Sequence, residues 1–172
     1  MELKNFITAV PNFPKHGILF RDMSPLLAHP EAFQETIRQM KVAWKSKGVT
    51  KIGAFDARGF IFASALALEM KLPFFMLRKK GKLPGDTLSV SYGLEYGSDV
   101  IEMQKNAVSR DDLVLLVDDV LATGGTARAG RELIEGCGGK VAGLASVMEL
   151  GFLGGRKVFG REVQALITYG DE

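Results

Sequence analysis

At 172 residues and 47% hydrophobic composition, the chain is long enough to bury a core of ordinary size, and a single domain spanning 1–172 is expected. Lys and Arg number 22 against 20 for Asp and Glu, so a net charge of +2 argues against a polyanion such as DNA as the main partner, and any basic site is local. The one cysteine, Cys137, rules out an internal disulfide framework and, with no Cys/His ligand cluster near it, argues against a structural zinc or iron site.

From Pro30, the residues Phe33, Ile37, Met40 and Trp44 recur at helical spacing, and Lys45, Lys47 and Gly48 suit a helix C-terminus, which predicts an amphipathic helix. Ile52-Gly53-Ala54-Phe55-Asp56 reads as a short buried strand, the apolar run over 60–70 as a helix, and Pro73-Phe74-Phe75-Met76-Leu77 as another strand. Arg78-Lys79-Lys80-Gly81-Lys82-Leu83-Pro84-Gly85 has no periodicity and predicts an exposed basic loop. Partly alternating segments at 90–92 and 100–104 predict a hairpin beyond it. Leu113-Val114-Leu115-Leu116-Val117 is an unbroken apolar run ending in Asp118-Asp119, the pattern of a central parallel strand covered on both faces. Past Gly124-Gly125, the residues Gly130, Leu133, Ile134 and Cys137 mark the buried side of a helix, and strands at 141–147 and 163–169 complete the set. Strand-then-helix order repeated in this way predicts an α/β fold around a sheet flanked by helices. The opening Met-Glu-Leu-Lys-Asn lacks the basic-then-apolar run of a secretory signal and no stretch reaches the ~18 apolar residues of a membrane span, so a soluble, cytoplasmic protein is expected.

The richest site signal is Val117-Asp118-Asp119-Val120-Leu121-Ala122-Thr123-Gly124-Gly125-Thr126, placed where a central strand ends and a helix begins. Paired glycines let backbone N–H groups turn toward one point, Thr123 and Thr126 add hydroxyl donors, and the helix N-terminus adds partial positive charge; together they form a monophosphate cradle. Two adjacent carboxylates in front of it repel one another when the site is empty but suit a sugar whose hydroxyls donate to them. Gly-Gly-Thr alone is equally consistent with a tight strand-to-helix turn; the whole run is more specific.

That run resembles the phosphoribosyl pyrophosphate signature of type I phosphoribosyltransferases, and it is neither a Walker loop nor a dinucleotide fingerprint. Phe13-Pro14-Lys15-His16-Gly17-Ile18-Leu19-Phe20-Arg21-Asp22 is similar to the N-terminal motif of the adenine phosphoribosyltransferases. Asp56-Ala57-Arg58-Gly59-Phe60, the basic loop, Tyr92-Gly93-Leu94-Glu95-Tyr96-Gly97 and Glu149-Leu150-Gly151-Phe152-Leu153-Gly154-Gly155-Arg156 extend the likeness, in the family's order, over nearly the whole chain. The resemblance implies a type I phosphoribosyltransferase fold: a central, mostly parallel sheet with a small hood and a flexible loop near 79–98. It implies transfer of the 5-phosphoribosyl group of phosphoribosyl pyrophosphate to adenine, giving AMP and pyrophosphate in purine salvage. Carried over by position, Ala122, Thr123, Gly124, Gly125 and Thr126 hold the 5-phosphate, Asp118 and Asp119 face the ribose, and Leu19 and Arg21 meet the adenine edge through backbone groups with Phe20 on its ring. Arg58, Arg78, Lys79 and Lys82 take the pyrophosphate, and a homodimer is implied.

Such a reaction stretches a cationic sugar between leaving group and nucleophile, so stabilising charge is the main task. Arg58, the basic loop and a Mg²⁺ that arrives with substrate, not in a protein cage, neutralise the leaving pyrophosphate while Asp118 and Asp119 favour the sugar cation. Glu95, on a closing hood, is the candidate for handling a proton or orienting the base; the alternative is an exposed strand-end acid. For Arg58 the alternative is a surface ion pair with Asp56. His16 and His29, among prolines and turns, are expected at the surface. Two rival functions stand beside this one: an oxo-purine specificity, against which the N-terminal motif speaks, and a noncatalytic sensor controlling nucleic-acid binding, for which the chain has no spare segment.

Overall fold

In the computed structural model, which describes residues 1–93 and 99–170, the chain opens with an antiparallel hairpin of β1 (Thr8–Pro11) and β2 (Leu19–Asp22), with Val10 opposite Phe20. A short helix α1 (Ser24–Ala28) leads into α2 (Pro30–Trp44). Pro30 stands in the first turn of α2, where a missing N–H is no loss, and His29 caps that helix by accepting from the Ala32 N–H at 3.4 Å. Next come β3 (Lys51–Phe55), α3 (Gly59–Met70) and β4 (Phe74–Lys79), then the paired β5 (Thr87–Tyr92) and β6 (Asp99–Gln104). The remainder is β7 (Leu113–Leu121), α4 (Gly125–Gly136), β8 (Lys140–Leu150), α5 (Gly155–Phe159) and β9 (Glu162–Tyr169).

These strands form a seven-stranded sheet ordered β5-β6-β4-β3-β7-β8-β9, parallel from β4 to β9 with the antiparallel β5–β6 hairpin along one edge. The alternation of side chains along β7 shows why its sequence is apolar throughout. Leu115 and Val117 pack into the cluster under α2 and α3, while Val114 and Leu116 pack into the cluster under α4. The α/β class with a central, mostly parallel sheet is as the sequence predicts.

Several features differ from the sequence expectation: β5 and β8 run longer, and three further differences have a pairing reason. β7 continues through both acids to Leu121 because β8 pairs with it as far as Leu121 opposite Glu149. β4 continues through Arg78 and Lys79 because β6 supplies partners in Glu102 and Ile101, so the exposed basic turn starts later than its charge suggests. The β1–β2 hairpin carries no strict alternation in sequence; its strands are short with no fully buried residue, and pairing holds them.

Trp44, fully buried, locks α2 onto the far side of the sheet: its indole Nε1 donates to Gln164 Oε1 at 2.8 Å, and its ring lies over Gly143. A Cβ on Gly143 would also stand 2.5 Å from the carbonyl oxygen of Glu162, the residue paired with it on β9. Gly143→Ala therefore overpacks against backbone and is expected to destabilise by about 1–3 kcal/mol. Calorimetry should show a melting point lowered by roughly 2–4 °C for each kcal/mol; an unchanged melting point would mean that β8 and β9 part without cost.

Candidate active site

The parallel strands deliver their carboxyl ends to one rim of the sheet, where α/β folds bind ligands. β3 ends in the turn Asp56-Ala57-Arg58, β7 in Asp118 and Asp119 followed by the loop 122–126, and β8 in the turn 151–154. The loop after β7 feeds α4 through Gly124, which has φ +84 and sits at the helix N-cap. Asp118, Ala122, Thr123, Gly125, Thr126 and Leu144 are among the residues around a cavity of about 80 Å³. That is room for roughly two to three waters, the scale of one phosphate group. The five residues predicted to hold a 5-phosphate are thus brought together around one hollow, at the positive end of a helix dipole.

Electrostatically the two acids behave differently. Asp118 opens onto the cavity but is otherwise walled in by protein, and desolvation, followed by the charge of neighbouring Asp119, pushes its carboxyl well above the ordinary aspartate range. Its Oδ1 accepts the backbone N–H of Asp119 at 2.8 Å. Asp119 is buried, and its Oδ2 lies 2.6 Å from Arg58 Nε in an ion pair without hydrogen-bond alignment, so this oxygen has charge compensation but no hydrogen-bond donor.

Arg58 does not pair with Asp56. That acid is taken by Arg78, whose Nε donates to Asp56 Oδ2 at 3.0 Å and whose Nη1 donates to the Lys82 carbonyl at 3.3 Å. Arg58 instead spans two candidate subsites: one side of its guanidinium meets Asp119, and its centre lies 5.5 Å from the ring of Phe20. Phe20 makes an edge contact with Phe13 at 5.1 Å, and the Arg21 guanidinium stacks 4.1 Å from the Tyr169 ring, so β2 is tied to the end of β9. Leu19 stands exposed at the start of the same strand.

Farther out, Lys79 lies 3.8 Å from Asp99, the Lys82 N–H donates to the Lys79 carbonyl, and the Gly81 N–H donates to the buried carboxylate of Glu102 at 3.0 Å. The basic turn is folded back onto β6. Glu95 lies outside the described residues, as does part of the predicted flexible loop. Sequence reasoning missed Tyr169 as the seat of Arg21, and it gave no role to Arg156, which binds Glu149 through Nε and Nη2 at 2.7–2.9 Å. An aromatic at the last strand's end and a Glu/Arg pair seven residues apart were visible, but which groups they meet is decided by the fold.

Residues 26–157 match the model of the phosphoribosyl transferase domain. Over 168 residues the chain is 49% identical to the adenine phosphoribosyltransferase of Maridesulfovibrio salexigens, covering 97% of this chain and 99% of that one. It is 52% identical over 170 residues to that of Francisella philomiragia, covering 97% of both. The chain belongs to the adenine phosphoribosyltransferases. The family's solved structures share its backbone: the enzyme of Thermoanaerobacter pseudethanolicus aligns with TM-score 0.94 at 43% identity over 98% of each chain. That of Giardia lamblia, solved with 9-deazaadenine, aligns with TM-score 0.91 at 35% identity over 98% of this chain and 97% of that one.

The raised pKa of Asp118 has a stability consequence. Because the folded form holds this proton more tightly than the unfolded chain, the native state loses stability as pH rises above the ordinary aspartate range, and the penalty grows until pH passes the raised folded value. Asp118→Asn keeps an acceptor for the Asp119 N–H and removes the charge. The ligand-free variant is expected to unfold at higher urea than the wild type at pH 7, with the difference shrinking as pH falls toward 4. A variant less stable at pH 7 would show that Asp118 is stabilising in its charged form.

Proposed function

We propose that this chain performs the reaction of its family with the rim as its catalytic site, as one domain spanning 1–172: the 5-phosphoribosyl group of phosphoribosyl pyrophosphate passes to adenine, giving AMP and pyrophosphate in purine salvage. The observation that carries the assignment of roles is the unbroken run from Phe20 through Arg58 to Asp119, ending beside the phosphate-sized cavity. Base, leaving group, sugar and 5-phosphate each have a chemically matched neighbour along this one rim.

In this reading the loop 122–126 fixes the 5-phosphate through converging N–H groups and hydroxyls. Asp118 and Asp119 accept from the ribose hydroxyls and favour the positive charge that grows on the sugar as the bond to pyrophosphate breaks. Arg58 grips the pyrophosphate, with Arg78, Lys79 and Lys82 behind it. Phe20 packs on the adenine ring while Leu19 and Arg21 present backbone groups to its edge, and Glu95 handles a proton or orients the base. The paired carboxylates, one with an oxygen that no donor reaches, are the hard oxygen donors that Mg²⁺ takes. Arriving with the substrate and not held in a protein cage, Mg²⁺ would neutralise charge on the leaving pyrophosphate. Among the described residues no helix is long and apolar enough to cross a membrane, and the working compartment in this reading is the cytoplasm.

AMP formation from adenine and phosphoribosyl pyrophosphate tests the assignment directly. Turnover should prefer adenine over hypoxanthine, guanine and xanthine, and Asp118→Asn/Asp119→Asn should lower kcat/KM by on the order of 10²-fold or more. Preference for an oxo-purine would overturn the base assignment, and an active double variant would overturn the sugar site.

A homodimer is part of the same reading. α3 and β4 expose Ile61, Leu68, Phe74 and Met76, with Leu68 80% accessible, a density of apolar surface that suits burial against a second copy. Sedimentation should give a dimer for the wild type and a shift toward monomer for Leu68→Glu; a monomeric wild type would overturn it.

A further inference from the structure

We propose that the Glu149–Arg156 ion pair is a positioning device for the 5-phosphate loop, setting the affinity for the phosphoribosyl substrate from behind the site without touching it; this rests on the functional reading above. Glu149 stands near the end of β8, opposite Leu121 on β7, and is 4% exposed. Arg156 Nε donates to Oε1 at 2.8 Å and to Oε2 at 2.9 Å, and Nη2 donates to Oε2 at 2.7 Å. Its remaining arm, Nη1, donates to the carbonyl of Val163 on β9 at 2.7 Å. A planar guanidinium held by a carboxylate on one strand and a carbonyl on the next has no freedom to rotate.

The neighbour of Arg156 is Gly155, the first residue of α5, and here the fork reaches the loop. A Cβ on Gly124 would stand 2.5 Å from the Gly155 carbonyl oxygen, and a Cβ on Gly155 would collide with the carbonyl oxygen of Ala122. Loop and helix start therefore meet backbone to backbone, with no side chain between them to absorb a displacement. α5 is only five residues long and is bounded by Gly154 at φ +70 and Gly160 at φ +69, so it has little stiffness of its own. Phe159, fully buried in the cluster under α4, anchors its far end, and the fork sets the place of its first turn, where Gly155 meets the loop. An ion pair between a buried carboxylate and a half-exposed arginine is a weak source of stability compared with apolar packing, but its several bonds fix direction, which a convergent set of phosphate donors requires.

The loop faces the phosphate and the base segment hangs on β2, so loosening the fork should act on one substrate alone. Arg156→Lys keeps the charge and loses the bidentate geometry; Gly155→Ala keeps the ion pair and pushes the loop directly. In both, KM for phosphoribosyl pyrophosphate is expected to rise on the order of tenfold while KM for adenine and kcat stay within about twofold. Ribose 5-phosphate, titrated calorimetrically, should weaken in parallel. An unchanged KM for phosphoribosyl pyrophosphate in folded Arg156→Lys, or equal rises in both KM values, would overturn the proposal, and Glu149→Gln, which removes the charge from the other side of the pair, decides the matter should Arg156→Lys not fold. A wild type that does not make AMP would instead count against the functional reading itself.

Discussion

Two adjacent carboxylates at the end of a strand buried on both faces are the constraint from which the rest of the rim follows. Like charges so close, beside an apolar strand, cannot both be ionised without compensation. The protein compensates them unequally: Arg58 is brought against Asp119 by the turn between β3 and α3, and Asp118 is left with a carboxyl that favours its proton. β7 has to run through both residues for this to happen. Its pairing with β8 beyond Asp118 fixes where each acid sits relative to the cavity and where the loop starts.

The N-terminal hairpin depends on the same arrangement. β1 and β2 pair with each other and not with the main sheet, so the hairpin must be oriented by contacts at its edges. Arg21 on Tyr169 ties it to the last strand, and Phe20 against Arg58 ties it to the residue that compensates Asp119. Asp22, at the hairpin's end, accepts from both the N–H and the hydroxyl of Ser24, bonds that hold its carboxyl below the ordinary range and fix the turn into α1. A small hairpin with no fully buried residue in its strands is thereby given a defined place over the rim.

What could be read from the sequence divides along physical lines. Helix α2 and strands β3 and β7 were legible because period and burial act on residues near one another in the chain. The gathering of loop 122–126 around one cavity was legible because glycines and hydroxyls at consecutive positions after a strand favour such a turn. The extent of β4 and β7 was not, since strand length is set by partners far away in sequence, and Arg78-Lys79 look like loop until β6 lies beside them. Nor was the pairing of charges: Arg58 is two residues from Asp56, yet local proximity lost to the geometry of the rim, where Arg78 reaches Asp56 across β3 and β4 and leaves Arg58 for Asp119. Arg156 could be seen in a matching motif, but its grip on Glu149 and Val163 joins elements that only the sheet order brings together.

The exchange of partners on Arg58 links these points to turnover under the proposed reading. In the empty rim the guanidinium serves Asp119; a bound pyrophosphate would compete for it. Were Arg58 to leave with nothing replacing it, Asp119 would remain as a buried charge beside Asp118, an unfavourable state. Sugar hydroxyls and a substrate-borne cation fill that role only when they arrive on the same molecule as the pyrophosphate. Free pyrophosphate or ribose 5-phosphate each satisfies half of the exchange, whereas phosphoribosyl pyrophosphate satisfies both halves at once. A rim built on one shared arginine thus discriminates the intact donor from its fragments through charge compensation, before any contact with the base is made.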